Sequence, residues 1–309
     1  MRGEKGFALI LTLIVTALMV AALVEMIHQV YVDISLSRGY RDGQQASLLA
    51  ESGIMGGMKL LQLSLQGKEY TSLTDAWAAP VKLDDETGTL EIAVVEENGR
   101  IDLNSLVQPN GEFEPFTQAA LKRLGKRLQI PEDVWNALAD WRDSDDQTRS
   151  NGAETAYYQS QKPSYAARNG RLVTISELSL VRGFTPEYIA ALRPFVTVQS
   201  SQPGASLSPV NINTAPKEVL MALDDGIDER MAERILEERR LKPFQTPGEL
   251  SRISGAEALS QKLVGKASVK GSLFRIISIA RVKESARTVE AVIRLPAGGT
   301  PETLSWQEF

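Results

Sequence analysis

The densest set of chemistry-bearing side chains in this 309-residue chain is DWRDSDDQTRSNGAETAYY, residues 140–158. Asp143, Asp145 and Asp146 crowd together there, and such carboxylates repel one another unless a cation or arginines intervene. Oxygen donors in one loop, without histidine or cysteine, suit a hard cation rather than a transition metal. Counting Asp143 as position one places Asp145 at three, Gln147 at five and Glu154 at twelve, the ligand spacing of a calcium loop with its closing glutamate. The glycine such loops carry at position six is missing, since Thr148 stands there, and Gly152 follows four residues later. The spacing therefore predicts calcium held by Asp143, Asp145, Gln147 and Glu154, with Asp146 as a further donor, but not an EF-hand. The plain alternative is a solvated acidic loop.

Other chemistries find less. The single histidine, His28, lies just beyond an apolar run, cysteine is absent, and no G-x-S-x-G occurs. Ser260 occupies the place where a phosphate loop ending in Gly265-Lys266 would need glycine. Trp135, Trp141, Tyr157 and Tyr158 read as the core of a helical domain rather than a ligand box. A net charge of -5 disfavours nucleic acid or anionic lipid as the main partner, and no disulfide framework exists.

The elements that must position the acidic loop begin at residues 7–24, FALILTLIVTALMVAALV, which carry no charge. At ~1.5 Å per residue this run covers about 27 Å, enough to cross a bilayer core of roughly 30 Å. Arg2 and Lys5 before it and Glu25 after it place the N-terminus in the cytoplasm and the rest outside. A cleaved signal peptide is the rival reading, with MVAALVEM as a poor cleavage site. Apolar residues then recur at helical spacing from Ile27, Val30, Tyr31 and Ile34 to Leu61 and Leu65, so one long helix is expected, bent or loosened near Gly39 and Gly43. Small residues Ala50, Ser52, Gly53, Gly56 and Gly57 line one side, where a sheet could pack closely. Strands are expected at 89–95 and, as a hairpin, at 274–282 and 287–295. Sheet sequence thus flanks a helical middle, which predicts an α+β fold with one domain inserted into another.

That middle is duplicated. TISELS followed by Gly183 matches TPGELS followed by Gly255, both Thr-x-x-Glu helix starts, and Leu103-Asn104-Ser105 matches Ile212-Asn213-Thr214. Residues 130–138 also align with 227–235, leaving about 25 extra residues in the first copy between Arg142 and Thr174. The second copy resembles helix-hairpin-helix modules, many of which bind DNA phosphates. Its turn, Asp224-Asp225-Gly226-Ile227-Asp228, is acidic, and Glu233, Glu237 and Glu238 interleave with Arg234, Arg239, Arg240 and Lys242, which favours a structural role. A membrane-anchored DNA receptor is retained as the alternative function.

Gly6-Phe7, set at the start of the apolar run, resembles the leader site of type IV prepilins and of type II secretion pseudopilins. In those families a prepilin peptidase cuts after the glycine and methylates the new N-terminus, here Phe7. Most members have glutamate at the fifth mature position, and this chain has Leu11. With GRIDLNSL, Asp140-Trp141-x-Asp143-x-Asp145 to Gly152-Ala153-Glu154, NGRLVTISELSLVRG and VNINTAPKEVL, the chain over nearly its whole length resembles the K-class minor pseudopilins of type II secretion. It departs at Thr155, where that family usually has aspartate. The resemblance implies a pilin-like fold, a long N-terminal helix on an antiparallel sheet carrying a large all-α insertion of two helix-hairpin-helix or SAM-like repeats. The expected divisions are 1–6 leader, 7–65 helix, 66–101 sheet, 102–206 first repeat with the calcium loop, 207–270 second repeat and 271–309 C-terminal hairpin. It also implies calcium, a non-enzymatic role, and a single-pass inner-membrane anchor with a periplasmic ectodomain. Its place would be the filament tip, beside I-class, J-class and other pseudopilins. A glutamate-free Leu11 suits a first subunit, and Ile27 and Ile34 are expected to meet neighbouring helices.

Overall fold

The computed structural model describes residues 3–200, 205–296 and 299–309, and the side chains from residue 7 onward. Helix α1, Gly3–Leu65, runs unbroken through Gly39 and Gly43, so the bend expected there is not present as an interruption. Tertiary contact overrides the weak local propensity. Asp42 is buried and accepts from Lys283 Nζ at 3.0 Å, and Gly43 lies beside Arg287. Residues 7–41 of α1 are exposed throughout, and their apolar stretch is long and apolar enough to cross a membrane.

After α1 come β1 (Val81–Asp85) and β2 (Gly88–Glu96). A first helical unit follows, with β3 (Ile101–Asp102), α2 (Pro115–Arg127), α3 (Asp133–Arg142), α4 (Thr155–Gln159), α5 (Pro186–Leu192) and β4 (Val196–Thr197). A second unit holds β5 (Val210–Asn211), α6 (Lys217–Leu223), α7 (Glu229–Leu241), α8 (Glu257–Lys262) and β6 (Ala267–Ser268). The chain ends in β7 (Leu273–Val282), β8 (Ser285–Arg294) and β9 (Glu302–Glu308). One antiparallel sheet, in the order β1-β2-β7-β8-β9, is thus split by the insertion between β2 and β7. The two edge strands were not expected from sequence. VKLDD and ETLSWQE are mostly exposed, and each has only two apolar residues in alternation, Val81 with Leu83 and Leu304 with Trp306, too short a pattern to mark a strand.

The described residues form two cores. In one, Ala50, Ile54 and Leu61 of α1 pack on Leu90, Ile92, Ile276 and Ile293 of the sheet. The small-residue face makes this possible, because a Cβ at Gly53 would collide with Ser278 and approach Leu90 to 2.9 Å. The other core runs from Ile101 to Val269 through both helical units.

The units repeat one plan. Each is closed by a parallel pair of two-residue strands, β3 with β4 and β5 with β6. Just after the first strand of each pair, a buried asparagine stitches the unit together. Asn104 donates to Leu172 O and Val198 O and accepts from Leu172 N, while Asn213 donates to Phe244 O and Val269 O and accepts from Phe244 N. From the last turn of the following long helix a buried arginine returns to the same backbone. Arg142 donates to Leu103 O and Asn104 O, and Arg239 to Ile212 O and Ala215 O. The matched TISELS and TPGELS segments are 3₁₀ rather than α-helical turns. Glu177 takes the N–H groups of Val173 and Thr174, the second closing a capping box, and Glu249 takes that of Gln245, the counterpart of Val173.

Candidate metal centre

What the first unit has and the second lacks is the long excursion between α3 and its 3₁₀ turn, residues 143–173 against 242–245. It folds back on the end of α3. Asp140, Asp143 and Glu154 each offer a carboxylate oxygen within 4.8 Å of the others, and all three residues are buried. Asp140 and Asp143 lie one helical turn apart at the C-terminus of α3, hence on one face. Glu154 arrives from the far side as the residue preceding α4. Gly152 permits the closure, because a Cβ there would overlap the Asp140 carboxylate.

Arg149 sits among these acids. Its Nη1 donates to Asp140 Oδ1 at 2.6 Å and to Asp143 Oδ2, its Nη2 to Gly111 O, and its backbone N–H to Asp140 Oδ2 at 3.1 Å. Its guanidinium also stands 5.1 Å from the centre of the Phe113 ring. Within this cluster three buried oxygens have no hydrogen-bond partner: Asp143 Oδ1, Glu154 Oε1 and Glu154 Oε2. Burial, then the charges of Asp143 and Asp140, pushes Glu154 up to about 7. A bare carboxylate only 4% exposed, beside two others, is costly unless a cation meets it. The donor set is all oxygen, one carboxylate oxygen from each residue lies within 4.8 Å of the others, and three oxygens of the set have no partner, so the residues fit a hard cation.

The site differs from the calcium-loop spacing. Asp143 and Glu154 are brought together, but Asp145, Asp146 and Gln147 are not. Asp145 Oδ1 is engaged by the Gln147 backbone N–H at 2.8 Å in a local turn, and Asp146 and Gln147 are exposed. The departure follows from the missing glycine at Thr148, since the loop cannot wrap its first half around one centre. Asp140 was missed because it falls inside a helical pattern. Its spacing of three from Asp143 at a helix end is the signal that could have found it.

Trp135, Trp141 and Tyr158 are core, with Trp141 and Tyr158 edge to face at 4.9 Å, whereas Tyr157 is partly exposed under Arg182. The hairpin turn around Gly226 uses its donors locally: Gly226 N–H goes to Asp224 Oδ1, Met231 N–H to Asp228 Oδ1, and Asp225 pairs with Arg123. Those carboxylates occupy the place a phosphate would take. Of the processing site, Met1 and Arg2 lie outside the described residues, Gly6 falls in the backbone of α1, and Phe7 is exposed. Leu11, Ile27 and Ile34 are likewise exposed on α1.

A family model described as type II secretion system protein K matches in two parts, residues 99–201 and 210–270, which bracket the two helical units. The chain is 31% identical over 269 residues to type II secretion system protein K of Pseudomonas aeruginosa, covering 81% of this chain and 77% of that one. It is 29% identical to the protein of the same name from Aeromonas hydrophila, covering 94% and 93%. Its fold is similar to a chain in the crystal structure of the GspK-GspI-GspJ complex from the enterotoxigenic Escherichia coli type 2 secretion system. There the TM-score is 0.77 at 23% identity, covering 88% of this chain and 99% of that one.

Proposed function

The chain belongs to the type II secretion system protein K family, and from that premise we infer that it is a minor pseudopilin assembling with I-class and J-class subunits at the tip of a short periplasmic filament. The observation that carries this reading is the division of α1. Its second half is covered by its own sheet, while residues 7–41 are exposed although largely apolar. Such a surface is satisfied first by the inner membrane and then by neighbouring subunits' helices. The complex named for the structural relative supports the choice of partners. Leu11 supports the tip position, because a subunit with no glutamate there has none to offer the N-terminal amine of a subunit above.

Processing between Gly6 and Phe7 by a prepilin peptidase, with methylation of Phe7, belongs to the same reading. N-terminal sequencing of membrane-extracted protein is expected to begin at Phe7, and a start near Glu25 would mean an ordinary signal peptide. The ectodomain is then periplasmic. The role is structural rather than enzymatic, with the two helical units serving as SAM-like or helix-hairpin-helix packing modules. DNA binding has no support from the acidic Gly226 loop, whose backbone donors are taken by its own aspartates.

Calcium is the cation we assign to the first unit, held by Asp143 and Glu154 with Asp140 beside them. When bound it supplies charge neutralisation that ties the loop to α3, and the protein's own residues fix where that charge is needed. Photo-crosslinkers at Ile27 and Ile34 test the assembly. They are expected to trap other pseudopilins, and adducts with only a second copy of this chain would overturn the reading.

A further inference from the structure

We propose that the cleft between the first helical unit and the outer face of the sheet is a docking site for an extended, acidic peptide segment of a partner protein, with Arg171 and Arg193 reading its carboxylates. The cleft measures about 650 Å³, within the roughly 300–1,000 Å³ range of ligand clefts. Its floor follows from the sheet register. Arg275, Val292 and Ser305 are cross-strand neighbours on β7, β8 and β9, and Glu290 and Arg294 lie two residues to either side of Val292 on the same face. The alternate residues Ile276, Ala291 and Ile293 belong to the core shared with α1, so the floor is the sheet's other face. The wall comes from the first unit, with residues 171–176 leading into its 3₁₀ turn, Arg193 just after α5 and Val198 just after β4.

Four arginines line this cleft with one acid, Glu290. Arg275 pairs with Glu290 and, at 2.8 Å, with Glu97, which also takes Arg100 at 2.9 Å, and Arg294 pairs with Glu302 at 2.9 Å. Nearby, Arg168 pairs with Glu177, and Arg142 and Asp102 attract each other. In all these pairs the arginines and the acids are equal in number. Arg171 and Arg193 are left over. Both are exposed, and among the described residues neither guanidinium makes an ion pair or a hydrogen bond. A chain of net charge -5 thus carries here a surplus of two positive charges.

Guanidinium groups hold carboxylates through paired hydrogen bonds. The rest of the lining includes Val173, Val198, Val292 and Leu304, and Val173 is 57% exposed. A polyphosphate or a sulfated saccharide has no apolar group to set against them. The cleft also reaches β9, the edge of the sheet, whose outer backbone groups pair with no described strand and offer main-chain partners to an extended peptide. Acidic side chains alternating with apolar ones match both features.

The test uses the full chain in detergent and the fluorescence anisotropy of labelled hexapeptides in which aspartate or glutamate alternates with leucine or valine. Each is compared with its asparagine or glutamine counterpart. The acidic peptides are expected to bind about tenfold more tightly than the neutral ones, and Arg171→Ser with Arg193→Ser to abolish that advantage. Because both arginines are exposed and unpaired, this variant is expected to melt with the unmodified protein. Arg230→Ser with Arg234→Ser makes the same change of net charge at two exposed positions on α7 and is expected to leave binding unchanged. Equal affinity for acidic and neutral peptides, or equal effects of the two double variants, would overturn the proposal. Tighter binding of polyphosphate or dextran sulfate of matched charge, with the same dependence on Arg171 and Arg193, would overturn the choice of a peptide.

Discussion

The two helical units share a frame but not a chemistry. In both, an asparagine closes the unit and a buried arginine, pushed down to about 10 by desolvation, caps backbone carbonyls. Only the first carries the 143–173 excursion, and among the described residues only there do buried carboxylate oxygens lack partners in a cluster. The lesson is that polar residues common to both units hold the fold, whereas polar residues present in one are available for a ligand. A buried, fully bonded side chain is structural, and a buried, unbonded one asks for something else.

If that division is right, the frame residues are interchangeable in effect. Asn104→Leu and Asn213→Leu should each destabilise the protein by about 3 to 5 kcal/mol, because each strands buried backbone groups. Denaturant unfolding of the ectodomain would check this, and a large cost in one unit with none in the other would break the equivalence.

The two units also meet the sheet through neighbouring glutamates of opposite character. Glu97 accepts from Thr197 of the first unit; burial opposes its ionisation, but Arg100 and Arg275 outweigh it and hold its pKa below the usual range. Glu96 accepts from Asn211 and Thr214 of the second unit, and burial pushes it up to about 7 despite those bonds. The signs are therefore opposite. Glu96 contributes stability that is full below its unfolded value near 4.5 and is lost as pH rises toward about 7, worth up to ~3 kcal/mol. Glu97 contributes stability that is full above its unfolded value and is lost as pH falls through its lowered one. Glu96→Gln should shrink the decline between pH 4.5 and 7 in melts of the ectodomain by its own share, leave the part that Glu154 carries, and leave the acid limb unchanged. A variant whose decline over that interval matches the unmodified protein's would show that Glu96 does not contribute to it.

How much of this was legible in the sequence depended on whether a residue's role is local or arises only in three dimensions. The long helix, its small-residue face, the central strands and the duplication were legible, because periodicity, glycine spacing and the Thr-x-x-Glu starts are local signals. The edge strands β1 and β9 were not, since each offers only two alternating apolar residues, Val81 with Leu83 and Leu304 with Trp306. The metal candidates were legible by half. Asp143 and Glu154 were found by spacing, Asp140 was hidden in a helix, and Arg149 has no sequence mark of its role because its partners Gly111, Asp140 and Asp143 converge only on folding.

The smallest effect in free energy is also the most direct test of the claim that the first unit alone is built around a cation. At ten times its Kd, an ion that binds only the folded state adds roughly 1.4 kcal/mol. Calorimetric melts of the ectodomain, with calcium and with chelator, are predicted to differ in Tm by a few degrees, and Asp143→Ala with Glu154→Ala should abolish the difference while the sheet stays folded. Superimposable melts with calcium and with chelator in the unmodified protein would contradict the account.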